Sequence, residues 1–77
     1  MNNYEISQKI GEQIEKVFTY HKPKDDQPDR YVLLRDKAKE LAYIIVKNTP
    51  SSREQSLALT HLEESIFFAN AAIARNE

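Results

Sequence analysis

The sequence IIVKNTPSSREQSLAL, residues 44–59, places the end of one helix and the start of another within a few residues. The apolar periodicity of its first part stops near Asn48, and Pro50 follows, which cannot continue a helix. Ser51 and Glu54 have the spacing of a capping box, in which side chains bind the free backbone amides of a helix N-terminus. This stretch therefore predicts a short connection between two helices.

The segments on both sides of this connection have helical periodicity. Pro28 and Asp29 suit the first turn of the preceding helix, because proline has the required φ and an acid favours the positive end of the helix dipole. A seam of mainly apolar residues recurs in steps of three and four at Tyr31, Leu34, Ala38, Leu41 and Ile45 and ends at Asn48, and a second seam follows at Leu59, Leu62, Ile66, Ala69 and Ile73. Two helices of similar length with a short connection predict an antiparallel hairpin.

A third periodic segment precedes the hairpin, with apolar residues at Ile6, Ile10, Ile14, Val17 and Phe18. Pro23 and the polar residues around it predict that this helix ends in a loop. The expected organisation is one all-α domain over residues 1–77, with helix 3–20, loop 21–27, helix 28–48 and helix 51–75. The fold class is thus a short N-terminal helix plus an antiparallel helical hairpin.

Composition limits what such a chain can do. With 77 residues it buries only about 60% of the surface that its unfolded form exposes, so it needs further stabilisation. It has no cysteine, and His21 and His61 are far apart, so neither disulfides nor a metal site is expected. No cofactor is predicted. Association with other copies remains as the expected means of stabilisation. The net charge of −1 disfavours long nucleic acid, and no apolar run suits a membrane, so a cytoplasmic protein is expected.

The third helix is more apolar than a hairpin requires. SIFFANAAIA, residues 65–74, presents Phe67 and Phe68 beyond the seam. Either the first helix wraps around this surface, or another copy covers it, and we favour a homo-oligomer because the small chain also needs one. Asn70 in this run is either a buried amide that sets the packing register or a ligand contact, and the structural role is favoured.

The stretch YHKPKDDQPDRYVLLR, residues 20–35, contains the predicted loop and the start of the next helix, and it brings tyrosines and cations together. An exposed Tyr20 can stack on a nucleobase, whereas Tyr31 falls on the hairpin seam and is expected in the core. Arg30 and Arg35 lie about 140° apart around a helix, so they cannot serve one spot on a single chain. No thiol, glycine-rich phosphate loop or metal-ligand spacing is present, and Ser51 and Ser52 suit helix caps, so an enzyme is not expected.

The blocks YHKP, DQPDRY, LRDKAKELA and TPSSREQSLALTHLEESIFFANAAIARNE resemble the phage-encoded nucleotide-sponge family. This family comprises the anti-CBASS cyclic-oligonucleotide sponges and the related Thoeris anti-defence proteins. The resemblance covers roughly residues 17–77, and one departure is the pair Phe67–Phe68, where a tryptophan is expected second. It implies a helical homohexamer in the cytoplasm of an infected bacterium. Such a protein is expected to bind cyclic dinucleotides such as cyclic GMP-AMP, and also cyclic trinucleotides, without cleaving them, and so to block CBASS effectors.

The resemblance also implies site residues. Tyr20 matches the stacking tyrosine, Arg35 a phosphate-pairing cation, and Arg75 an arginine supplied by another protomer. Further rim contacts of the dinucleotide are expected at His21, Lys22 and Arg30. The candidates for a second, trinucleotide pocket are Ser52, Arg53 and Asn70. The alternative function is a helical adaptor that binds a host protein through the apolar third helix.

Overall fold

The computed structural model describes residues 4–77, and in this range the chain forms three helices and no strand. The helices are α1 (Gln8–Phe18), α2 (Gln27–Asn48) and α3 (Arg53–Asn76). The prediction of an all-helical chain is confirmed. Within the same residues, no helix combines the length and the apolarity that a membrane crossing requires.

Helix α1 is shorter than the predicted helix 3–20. Its N-cap is Ser7, whose hydroxyl accepts a hydrogen bond from the amide of Ile10 at 3.2 Å, and residues 4–7 are not helical. The cap fixes the start of the helix at Gln8, because the side chain replaces a hydrogen bond that the backbone cannot make. The predicted start at residue 3 lies outside the described residues.

Helix α2 begins at Gln27, one residue before the predicted Pro28. The Gln27 amide donates to the Lys24 carbonyl at 3.0 Å, and its Oε1 accepts from the Lys24 amide at 3.1 Å. Between them Asp25 takes a positive φ of 53°, a conformation that aspartate tolerates better than most residues. These bonds make a tight turn, and Gln27 is buried within it at 4% exposure.

The N-cap of α3 is Ser52, so the prediction that Ser51 fills this position is wrong. The Ser52 hydroxyl accepts from the Gln55 amide at 3.1 Å and donates to the Pro50 carbonyl at 3.0 Å. The Gln55 side chain donates to the carbonyl and the hydroxyl of Thr49, each at 3.0 Å. The sequence pattern allows either of the two adjacent serines to cap the helix. The hydrogen bonds across the turn favour Ser52.

Helices α2 and α3 pack as an antiparallel hairpin. Their orientation is shown by the hydrogen bond between Gln27 at the start of α2 and Glu77 after the end of α3. Theirs is the one extensive helix–helix contact within residues 4–77. The radius of gyration is 17.5 Å, whereas a compact chain of this length would have about 11 Å. No apolar side chain in the described range is buried. In a single copy the apolar seams of α2 and α3 are therefore only partly covered, and they do not form a closed core.

Candidate functional site

A cleft of about 390 Å³ lies at the open end of the hairpin, beside the connection from α1. Its size falls within the range of about 300–1,000 Å³ that is typical of small-molecule sites. It is lined by Val17, Thr19, Tyr20, His21, Tyr31, Asn70, Ala71, Ala74 and Arg75. The cleft thus combines residues from the end of α1, the following loop, the first turns of α2 and the last turns of α3.

Two tyrosine rings line this cleft. Tyr20 follows α1 and is 81% exposed, so its ring face is free to stack on a base. Tyr31 lies in the first turns of α2 and is half-buried. The expectation that Tyr31 belongs to a core is wrong, since the chain has no buried apolar core there. The sequence did carry a signal for this position: Tyr31 follows Pro28 at the predicted start of the helix, and the loop before it begins after Tyr20.

Helix α3 contributes a wall of small residues bounded by two polar ones. Ala71 and Ala74 have little side chain, so a flat ring can approach the helix closely. Asn70 and Ala74 lie one turn apart on the same face, as do Ala71 and Arg75. The run Asn-Ala-Ala-Ile-Ala-Arg at residues 70–75 carries this pattern.

His21 holds the loop against α1. Its Nε2–H donates to the carbonyl of Lys16 at 2.9 Å, one of the last carbonyls of α1, which lack a partner within the helix. The ring is half-buried and lines the cleft. His21 therefore closes the C-terminus of α1 and fixes the direction in which the chain passes Tyr20.

Asn70 has an unsatisfied acceptor. Its Oδ1 is buried and has no hydrogen-bond partner within residues 4–77. The two other asparagines on α2 and α3 behave differently: the Nδ2 of Asn48 donates to the Ile44 carbonyl at 2.7 Å, and that of Asn76 to the Ala72 carbonyl at 3.0 Å. A buried acceptor without a donor costs about 1–3 kcal/mol, so this amide does not stabilise the single copy as Asn48 and Asn76 do.

Three of the predicted dinucleotide ligands, Lys22, Arg30 and Arg35, do not line this cleft. Arg30 instead contacts the carboxylates of Glu77 and Asp26. Its hydrogen bonds, with one from Gln27, lower the pKa of Glu77 from 4.5 to about 2. The same contact with Glu77 raises the pKa of Arg30 above its ordinary value. Arg30 is thus already paired within its own chain.

Arg35 lies beside a different groove, which has a volume of about 520 Å³ and runs between the middle parts of α2 and α3. Its walls are mainly apolar, with Ala38, Ala42, Leu59, Leu62 and Ile66 among them. Arg75 shares the cleft with Tyr20 of the same chain, although the resemblance implied that it comes from another protomer. Arg35 of the same chain lies outside this cleft.

The candidates for a second pocket are also separated. Ser52 lines a gap of about 410 Å³ at the hairpin turn with Thr49, Pro50 and Gln55, and Arg53 does not line it. Asn70 is 18 residues further along α3, about 27 Å at 1.5 Å per residue. The structure groups Asn70 with Tyr20 and Arg75. Within the described range no three His, Asp or Glu side chains are placed to hold a metal ion.

The cleft offers aromatic faces, an amide and a guanidinium, which are groups that bind a nucleobase and a phosphate. A family model described as the Acb2/Tad1 hairpin domain matches residues 11–74, a range that includes every cleft residue except Arg75. No curated protein and no solved structure matches the chain. Because the family model covers well over half of the chain, the protein belongs to the Acb2/Tad1 family of anti-CBASS and anti-Thoeris nucleotide sponges, whose members bind cyclic oligonucleotides rather than convert them.

Proposed function

We propose that this protein binds cyclic dinucleotide signals, and also cyclic trinucleotides, without cleaving them, and so blocks CBASS effector activation in the cytoplasm of a phage-infected bacterium. The observation that carries the proposal is the cleft that Tyr20, Asn70 and Arg75 line together. These side chains supply a stacking face, an amide for a base edge and a cation for a phosphate. Family membership supports the same class of ligand.

A cyclic dinucleotide has two bases and two phosphates related by approximate two-fold symmetry. A two-fold interface between two copies presents each residue twice, so two clefts facing each other match the two halves of the ligand. Tyr20 is largely exposed, which leaves its outer face free to contact the ligand or the second copy. In this arrangement Arg35, and with it Lys22, approaches the phosphates from the neighbouring chain.

Association is supported by the apolar surface of a single copy. Phe67 and Phe68 on α3 are 62% and 70% exposed, and Phe18 at the end of α1 is 82% exposed. Apolar surface of this kind is unfavourable in water, and covering it releases about 25 cal/mol for each Å² removed. We propose a homohexamer, in agreement with the family, in which α1 packs on neighbouring copies rather than on its own hairpin.

The available interactions suffice for tight binding. Two base stacks supply about 2–6 kcal/mol, and each hydrogen bond to a charged group adds about 1.5–3 kcal/mol. Nanomolar affinity corresponds to about −12 kcal/mol. Because the cleft walls are already formed by helices, the ordering cost of binding is reduced. A net charge of −1 is no obstacle, since a small dianion needs only local cations.

The proposal is tested by titration calorimetry with 3′,3′-cyclic GMP-AMP, followed by chromatography of the ligand released by heat denaturation. We expect tight binding, intact recovered ligand and a mass in light scattering that corresponds to several copies. Linear pApG, which has the same bases and an open ring, serves as the matched ligand control and should bind more weakly. An absence of heat with every cyclic dinucleotide would exclude the function, and recovery of cleaved ligand would exclude a sponge.

We propose that a cyclic trinucleotide would bind at the hairpin turn. Ser52 and Arg53 lie at the N-terminus of α3, where the helix dipole favours an anion. The Ser52 hydroxyl already makes two hydrogen bonds, so Arg53 and the free amides would carry the contact. Cyclic tri-AMP that binds in the presence of saturating cyclic dinucleotide would support a separate pocket, and strict competition would exclude it.

The second candidate function is a helical adaptor that binds a host protein. The exposure of Phe67 and Phe68 favours it, because an apolar helix face suits a partner helix as well as another copy. A monomer in solution without affinity for cyclic nucleotides, together with a stoichiometric host partner in a pull-down, would favour the adaptor. A multimer that binds the nucleotide would favour the sponge.

A further inference from the structure

Helix α1 carries an apolar face that its own chain leaves uncovered. Ile10 and Ile14 are 48% and 43% exposed, and Phe18 at the end of the helix is 82% exposed. At 3.6 residues per turn, Ile10, Ile14 and Val17 lie within an arc of about 60° around the helix. Within residues 4–77, the one extensive contact between helices joins α2 to α3. The apolar face of α1 is therefore free to contact another surface.

The groove of about 520 Å³ between the middle parts of α2 and α3 matches this face in size and chemistry. Its floor consists of half-buried apolar side chains, which are Ala38, Ala42, Leu59, Leu62 and Ile66. Along α2 the groove extends from Arg35 to Ala42, about 10 Å at 1.5 Å per residue. Ile10 and Val17 of α1 have the same separation in sequence. The small alanines on the α2 side allow another helix to approach closely.

The two rims of the groove carry opposite charges, and so do the two flanks of α1. Arg35 and Lys39 lie on the α2 rim, and Glu63 lies on the α3 rim. When α1 is viewed from its N-terminus, an angle of 100° per residue places Glu15 clockwise of the apolar face and Lys16 counterclockwise of it. The charges of α1 can therefore complement both rims at once.

These charges select one direction for α1 in the groove. If α1 runs parallel to α3, its clockwise flank faces α2, so Glu15 meets the two cations and Lys16 meets Glu63. In the opposite direction like charges meet on both rims, which is unfavourable. In the favoured direction the C-terminal end of α1 lies near Arg35. Because Tyr20 follows α1 closely, it would also lie at this end of the groove.

We infer that the groove between α2 and α3 binds α1 of a second copy, which runs parallel to α3 of the receiving copy. The connection of a chain holds its own α1 at the open end of the hairpin: His21 is bonded to the Lys16 carbonyl, and Lys24 is bonded to Gln27 in a tight turn. The contact places Arg35 of the receiving copy beside Tyr20 of the other copy. The inference rests on the association of copies in the proposed function, and not on the identity of the ligand.

The experiment uses pairs of single cysteines, because the natural chain has none. Two variants with different tags are co-expressed and oxidised, and covalent heterodimers are measured on a non-reducing gel. A disulfide requires Cα atoms within about 7 Å. Ile14→Cys with Ala38→Cys tests whether α1 occupies the groove, and Ile10→Cys with Ala42→Cys tests its direction. The matched control is Val17→Cys with Ala42→Cys, which would form a disulfide only in the reverse direction.

A second measurement removes the apolar face without adding charge. Ile14→Gln places an amide in the apolar groove, which is unfavourable, and should raise the dissociation constant between copies at least about tenfold. Glu12→Gln, on the opposite side of α1, is the matched control and should associate as wild type. Analytical ultracentrifugation gives the dissociation constants. The hairpin is spared in both variants, since neither residue belongs to α2 or α3.

Heterodimers from the Ile14 and Ile10 pairs, with little from the Val17 pair, support the inference. It is overturned if the Val17 pair forms in their place, if bridges form only when both cysteines are in one chain, or if Ile14→Gln associates as wild type. A monomeric wild type that binds cyclic GMP-AMP also overturns it and leaves the ligand class intact. A cross-linked multimer that binds no cyclic dinucleotide supports the inference, while the proposed ligand fails.

Discussion

Arg30 forms a bidentate ion pair with Glu77, which joins the first turn of α2 to the residue that follows α3. The Nη1 of Arg30 lies 2.8 Å from Oε2 of Glu77, and its Nη2 contacts Oε1. Gln27 donates to the same Oε1 at 3.2 Å. Because Tyr31 adjoins Arg30 and Arg75 precedes Glu77 by two residues, this contact holds both cleft residues in place.

The ion pair gives the stability of the hairpin a specific pH dependence. The pKa of Glu77 is lowered from 4.5 to about 2, first by the hydrogen bond from Arg30 and then by that from Gln27. A carboxylate with a lowered folded-state pKa stabilises the fold fully above its unfolded value, and this contribution is lost as the pH falls through the folded value. Glu77→Gln should therefore lower the melting temperature at pH 7, and the difference from wild type should vanish between about pH 4.5 and pH 2.

The matched control for Glu77→Gln is Glu40→Gln. Glu40 pairs with Lys37 at 3.4 Å, but the two side chains are 63% and 68% exposed, and such surface pairs contribute little. Circular dichroism melts at several pH values compare the two variants. Equal melting temperatures for both variants at pH 7 would contradict a structural role of the pair between Arg30 and Glu77.

Tyr20 should be required for ligand affinity. Tyr20→Ala removes a stack worth about 1–3 kcal/mol per base, so the dissociation constant for cyclic GMP-AMP should rise about 5- to 150-fold. Tyr20→Phe keeps the ring and should keep most of the affinity. The control is Tyr43→Ala, which should bind as wild type. Tyr43 is an exposed tyrosine on α2 that does not line the cleft. Calorimetry gives the constants, and wild-type affinity in Tyr20→Ala would contradict the assignment of the site.

Arg75 and Arg35 should each contribute to ligand affinity, although the two residues line different openings of one chain. Arg75→Met and Arg35→Met should each weaken binding about tenfold or more, since each removes a charged hydrogen bond. Calorimetry with cyclic GMP-AMP gives both dissociation constants. Wild-type affinity in Arg35→Met would contradict the supply of this residue by a neighbouring copy.

The stability that the N-cap of α3 contributes should depend on Ser52 and not on the adjacent Ser51. Ser52→Ala removes the hydroxyl that accepts from the Gln55 amide and should reduce the free energy of unfolding by about 0.5–2 kcal/mol. Ser51→Ala changes a residue outside the helix and should have little effect. Urea unfolding followed by circular dichroism measures both, and a larger loss in Ser51→Ala would contradict the cap that we describe.

Gly11 should tolerate alanine, and the substitution should favour α1. A Cβ at this position would lie 3.7 Å from Cγ2 of Ile6, an ordinary contact, and alanine is favoured over glycine within a helix by about 0.5–1 kcal/mol. The helical signal in circular dichroism and the melting temperature should both rise slightly. A fall in the mass of the assembly would instead place Gly11 at a contact too close for a methyl group.

The sequence determined the three helices and their order, because this information is local. The seams around Leu34 and Leu62 repeat every three to four residues, and Pro50 with the adjacent serines marks the turn between them. Even here the cap moved by one residue, from Ser51 to Ser52, since both serines satisfy the same local pattern. The bonds of Gln55 across the turn to Thr49 made the choice.

Only the tertiary structure decided which distant residues share a site. Arg30, a predicted rim contact of the ligand, is paired with Glu77 47 positions later. Asn70 lies with Tyr20 rather than with Ser52. Periodicity gives the face that a helix buries, but it does not give the rotation and offset of one helix against another. Those are set by packing and by contacts between residues far apart in the chain, which no local pattern records.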